Sequence, residues 1–130
     1  MDAARRALLP TEEARALLDL TTELAEKELA PRVAEYEAAG RFPREIFRTI
    51  GRCGLLGLPY PEQYGGAGQP YEVYLQVVEE LARNWLAVGV GVSVHTLSCH
   101  ALAYHGDDVQ KERWLPDMIG GGRLGAYCLS

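Results

Sequence analysis

Between Asn84 and Gly106 the chain carries no Lys, Arg, Asp or Glu. A charge-free stretch of that length either crosses a bilayer or runs through a protein core, and the choice dictates the rest of the architecture. His95, His100 and His105 stand within it, with the hydroxyls of Ser93, Thr96 and Ser98. Arg83 and the pair Asp107–Asp108 flank it, and no basic cluster anchors either end. Polar groups are costly in lipid, so the segment reads as buried protein core rather than as a membrane span. Val88, Val90, Val92 and Val94 alternate with Gly89, Gly91 and Ser93, which is a strand period. Beyond them Leu97, Ala101 and Tyr104 follow helical spacing. Periodicity alone leaves helix and strand open here, but a helix apolar nearly all round belongs at the centre of a bundle.

The neighbouring segments are helical in pattern. From Thr11 to Ala38, apolar residues recur at three- and four-residue intervals (Ala14, Leu17, Leu18, Leu24, Ala25, Leu29), with Thr11 placed to cap and Glu12 and Glu13 in the first turn. Pro31 removes a backbone donor, which predicts a kink or break near Lys27. Pro43 opens a second, short helix with Ile46, Phe47, Ile50 and Cys53 on its buried side, stopped by Gly54. A loop rich in Gly and Pro runs from Leu55 to Pro70, and a third helix from Tyr71 to Asn84. Asp107 and Gln110 have capping-box spacing at the head of a last helix, interrupted at Pro116 and ended by Gly120, Gly121 and Gly122. Leu124 to Ser130 alternates as a strand.

With 130 residues the chain makes one domain and one ordinary core. A net charge of −5 without a basic stripe argues against nucleic acid as a partner. Cys53, Cys99 and Cys128 are far apart and odd in number, so a reducing, cytoplasmic setting is expected, and Met1 to Pro10 lacks the apolar run of a secretory signal. His95 and Cys99 share a helix face, but two ligands do not make a metal site. Gly89-Val90-Gly91 begins like a dinucleotide fingerprint, yet Val94 holds the third glycine position. Gly66-Ala67-Gly68 follows no strand. Glu79 and Glu80 diverge by about 100° on a helix and cannot act as a carboxylate pair; Glu79 and Arg83 form a one-turn ion pair more simply. Composition and spacing therefore describe a mostly helical domain without a self-sufficient active site.

Three segments add more. GDDVQKERWLPDMIG (106–120) resembles the acyl-CoA dehydrogenase segment G-x-x-x-Q-K-x-x-[YW]-L-P-x-[LM]-x-x-G. It is followed at family spacing by GAYCLS (125–130), which is similar to the opening of that family's flavin-binding strand. Upstream, GLLGLPYPEQYGGAG (54–68) resembles the family's G-L-x-G-x-x-x-P-E-x-Y-G-G-x-G loop, and EELAR (79–83) and APR (30–32) also fit. Together these pieces cover nearly all of the chain, in order.

The resemblance implies an all-α, up-and-down helical bundle over residues 1–122, with 123–130 as the first strand of a middle β-domain. It turns the valine-rich segment into a buried helix. The family's complete chain is far longer, and the Glu-Pro expected after Ser130 lies beyond this sequence. The implied reaction is α,β-dehydrogenation of an acyl-CoA thioester with FAD. The catalytic glutamate would come from the C-terminal part of the family's chain, so no residue here is assigned as catalytic base. Tyr127, Leu129 and Ser130 would lie along the flavin edge, the Ser130 hydroxyl donating at N1 or O2. Gly89, Val90, Ser93 and Leu97 would line the acyl-chain pocket, the small Gly89 and Ser93 leaving room for a medium or long tail; close helix packing through those small residues is the plainer alternative. The family also implies an electron-transfer flavoprotein or similar acceptor and a homo-oligomer, a tetramer. Two other functions fit the same residues: a non-catalytic, partner-dependent helical module, and an acyl-CoA oxidase or flavin monooxygenase relative of the same fold.

Overall fold

The computed structural model describes residues 9 to 129. Residues 1 to 8 and Ser130, and with them the assignments made to the N-terminal segment and to the Ser130 hydroxyl, lie outside the described residues. The fold is a helical bundle. Helix α1 (Glu12–Leu24) starts at Thr11, whose hydroxyl accepts from the Ala14 amide. Pro31 acts where the missing donor predicts: the winding widens to a π-turn over Ala25–Leu29, tightens to a 3-10 turn over Ala30–Arg32, and resumes as α2 (Val33–Ala39). Helix α3 (Arg44–Arg52) begins just after Pro43. Helices α4 (Tyr71–Asn84) and α5 (Leu86–His105) are separated by the single extended residue Trp85, whose indole N–H donates to Glu37 at 2.7 Å. The charge-free segment is therefore helix, not strand.

Helix α6 (Asp108–Ile119) carries the full capping box: Asp107 accepts from the Gln110 amide at 2.8 Å and Gln110 accepts from the Asp107 amide at 2.9 Å. It is not interrupted at Pro116. Pro116 sits in the last turn with its ring exposed, and its carbonyl still accepts from Gly120 at 3.0 Å, so the helix runs on to Ile119.

The core lies between α1, α3, α4 and α5 and includes Leu29, Phe47, Leu81 and Val88. The connection from Leu55 to Pro70 belongs to it. Leu55, Leu56, Leu58 and Tyr60 are fully buried, and backbone bonds from Ala67 to Gly57, Gly68 to Tyr60 and Gln69 to Leu58 fold the loop on itself. Its Gly66 is pressed against the chain: a β-carbon there would stand 2.1 Å from the Tyr60 carbonyl oxygen.

Two further sequence expectations need correction. Helix α5 is long and apolar enough by length and composition to cross a membrane, but it is not enclosed on all sides. Val88, Val92, His95 and Cys99 pack into the bundle, while Leu86, Val90, Leu97 and Tyr104 face outward. Leu124–Leu129 is not a strand; among the described residues no strand occurs at all. A strand is defined by a neighbour that takes up its backbone donors and acceptors. Here the segment has no such neighbour, and side chains of α5 bind its backbone instead.

Candidate functional site

Leu86, Val90, Ser93, Leu97 and Tyr104 fall at helical spacing along one side of α5, and all five are exposed. Leu86 is 68%, Val90 53% and Leu97 49% accessible, values that place large apolar side chains in water over three turns of one helix. Three of the four residues assigned to an acyl-chain wall, Val90, Ser93 and Leu97, share this stripe. Gly89 does not. It faces α4, where a β-carbon would meet that of Ala82 at 2.5 Å. Its small size lets two helices approach, the plainer of the two roles weighed for it.

The inner side of α5 is polar as well as apolar. Tyr60 reaches up from the 55–70 loop and donates its hydroxyl to the Thr96 carbonyl. Burial pushes the Tyr60 phenol up, far beyond physiological pH, so it stays a donor. The Cys99 thiol is pushed up to about 12 by burial, which makes it an inert core group rather than a nucleophile. Its Sγ lies 3.5 Å from His95 Nε2. Among the described residues no three His, Cys, Asp or Glu side chains gather as a metal site.

Past α6 the chain turns back over α5. Arg44 at the start of α3 holds the turn by donating through one nitrogen to the carbonyls of Gly121 and Gly122, both at 2.9 Å. Arg123 pairs with Asp117 and lies over the Trp114 ring. The Gly125 amide then donates to His95 Nδ1 at 2.9 Å, and Ser98 donates to the Ala126 carbonyl at 3.3 Å. Beyond these two anchors Tyr127 and Leu129 stand 60% and 75% exposed. The two residue sets assigned separately from sequence, the stripe on α5 and the C-terminal pair, are thus borne by one helix and by the segment tied to it. His95, Ser98 and Arg44 were not singled out for this. The sequence marks His95 only as a polar group in the charge-free segment and as half of an incomplete metal site, and nothing local marks a histidine that binds a backbone 30 residues away.

The described residues thus form a helical bundle with an open apolar helix face and a C-terminal segment bound to that helix through its backbone. The family model for the acyl-CoA dehydrogenase N-terminal domain matches residues 11–122, and the chain belongs to that family. It is 36% identical over 121 residues to an acyl-CoA dehydrogenase of Bacillus subtilis, an alignment covering 92% of this chain and 32% of the relative. Among solved structures, butyryl-CoA dehydrogenase from Megasphaera elsdenii superposes with a TM-score of 0.82 at 30% identity, over 88% of this chain and 31% of that one. A chain solved in work on the electron transferring flavoprotein of Acidaminococcus fermentans gives 0.83 at 30% identity, over 88% and 30%. The chain therefore spans about a third of the length of the relatives it matches.

Proposed function

We propose that this chain is the N-terminal helical part of a flavin-dependent acyl-CoA dehydrogenase, with residues 123–130 leading into its middle β-domain. The observation that carries the reading is an open apolar stripe on α5, with exposed Tyr127 and Leu129 on a segment tied to the same helix, in a chain that matches this family from residue 11 to 122. An apolar stripe of aliphatic side chains suits an acyl tail, and the exposed Tyr127 and Leu129 suit the flat edge of a flavin. Butyryl-CoA and acyl-CoA in the names of the relatives point to a thioester substrate.

In this reading a bound flavin would supply the redox chemistry, as acceptor for a hydride from the substrate β-carbon. The residues of this chain bind and orient. Val90 and Leu97 shield the tail from water, and Ser93 between them sets the width of the wall. Tyr127 and Leu129 would hold the ring edge, and Ser130, outside the described residues, would supply a hydroxyl donor to it. The base that removes the α-proton is supplied by the remainder of the polypeptide. Electrons leave to an electron-transfer flavoprotein or a similar acceptor, and the intact enzyme is a homotetramer in the cytoplasm.

The test is a visible spectrum and an assay. The polypeptide of full family length, carrying this chain, is expected to purify yellow and to reduce an artificial electron acceptor when given acyl-CoA. A colourless protein of that length, or a yellow one inert toward every acyl-CoA from short to long, overturns the reading.

A further inference from the structure

His95 is 1% exposed, and no step of the proposed reaction uses it. Both of its ring nitrogens are engaged. Nδ1 lies 2.9 Å from the Gly125 amide nitrogen, and Nε2 lies 3.0 Å from the Met118 carbonyl oxygen. An amide N–H only donates and a carbonyl only accepts. Nδ1 must therefore hold a lone pair and Nε2 the proton, so a single neutral tautomer satisfies both partners. On the same helix face, Ser98 donates to the Ala126 carbonyl. A β-carbon on Gly125 would stand 2.2 Å from that of Ser98, so the backbone passes α5 at a distance only glycine allows.

We infer that His95, as the neutral Nε2–H imidazole, is the positioning residue that fixes Gly125 on α5 and thereby sets where the following Tyr127 and Leu129 stand against the bundle. The consequence for flavin rests on the proposed function; the tether itself does not. A proton added at Nδ1 sets a donor against the Gly125 donor and opens the tether. The Arg44 guanidinium, from α3, opposes that proton, with Asp117 of α6 acting on Arg44 in turn. Cys99, the titratable neighbour on α5 itself, stays a neutral thiol.

Three measurements on the polypeptide of full family length test this. In protein labelled with ¹⁵N-histidine, His95 at pH 7.5 is expected to show a protonated Nε2 and a bare Nδ1; the opposite tautomer or an imidazolium overturns the inference without any substitution. His95→Asn keeps an acceptor near the Nδ1 position, whereas His95→Gln moves its amide out toward Nε2 and leaves Gly125 without one. Amide exchange at Gly125 is therefore expected to quicken about tenfold in His95→Gln, the order expected for one lost hydrogen bond, and to stay near wild type in His95→Asn. Core amides of α4 such as Val77 should not change. Gly125 protection equal in all three proteins, or lost only together with that of α4, overturns the inference. Flavin retention should weaken in His95→Gln and recover in His95→Asn. A wild-type protein that retains no flavin defeats the proposed function instead, and leaves the imidazole nitrogens and Gly125 exchange to decide the tether.

Discussion

At the scale of single residues the molecule sorts its polar groups by what burial does to them. Tyr60 and Cys99 are held neutral as donor and inert thiol, and neither changes state near physiological pH. His95 differs because its ordinary value, 6.5, lies within reach. Burial lowers it, the Met118 carbonyl works against that by favouring the charged form, and Arg44 adds a smaller push down. The unfolded chain therefore takes up a proton at a pH where the folded chain does not. Above about 6.5 the neutral ring contributes its full stability; as pH falls from there toward the lower folded value, that contribution drains away. Urea midpoints measured from pH 7.5 down to 5.5 should fall more steeply for wild type than for His95→Asn, which has no proton to gain. Parallel slopes would show that His95 does not titrate differently in the two states.

At the scale of elements, backbone approach decides more than side-chain size. Helix α3 meets the end of α6 through Gly51, where a β-carbon would come within 2.5 Å of the Gly120 carbonyl oxygen and 2.7 Å of the Gly121 amide nitrogen. Gly51→Ala gains about 0.5–1 kcal/mol of helix propensity but forces two backbones apart, which costs about 1–3 kcal/mol, so a lower melting temperature is expected. A raised one would mean that α6 moves aside freely. At the other end of α6, Asp107→Ala removes the exposed capping box and should cost about 1 kcal/mol by urea denaturation, with Asp107→Ser recovering most of it. The cap was legible in the sequence because its partners are three residues apart. So was the change of winding at Pro31, which follows from one missing donor. The valine–glycine alternation of α5 carries a strand period that tertiary packing overrides: Gly89 lies against Ala82 of α4, and a β-carbon on Gly91 would meet the Phe47 ring of α3 at 2.5 Å, spacing that pure periodicity does not contain. Leu124–Leu129 failed as a strand because a strand is a relation between two chain segments, and one segment's alternation cannot state whether its neighbour is present. The ties from Arg44 to Gly121 and from Gly125 to His95 are equally non-local, and so the site's anchors were hidden while its exposed residues, quoted from a family resemblance, were not.

At the scale of the whole molecule, burial is lopsided. The bundle seals Val88, Val92 and Cys99 inside, yet leaves Leu86, Val90 and Leu97 in water on the opposite side of the same helix. An exposed face of that kind is a binding surface by default, and in the proposed dehydrogenase it is the wall of the acyl pocket. Ser93 offers the clearest test, because it lies exposed in the middle of the stripe, although its hydroxyl also meets that of the buried Tyr74 on α4. Ser93→Phe fills the space beside Val90 and Leu97. In the polypeptide of full family length, kcat/KM for long acyl-CoA substrates should drop by about tenfold or more relative to short ones, the scale of a steric clash worth about 1–3 kcal/mol in an apolar pocket, while the lost Tyr74 contact lowers the melting temperature by only a few degrees. Competition assays across a series of acyl-CoA chain lengths read this directly. An unchanged preference would remove α5 from the acyl wall and leave its apolar stripe as a surface for packing against the rest of the polypeptide.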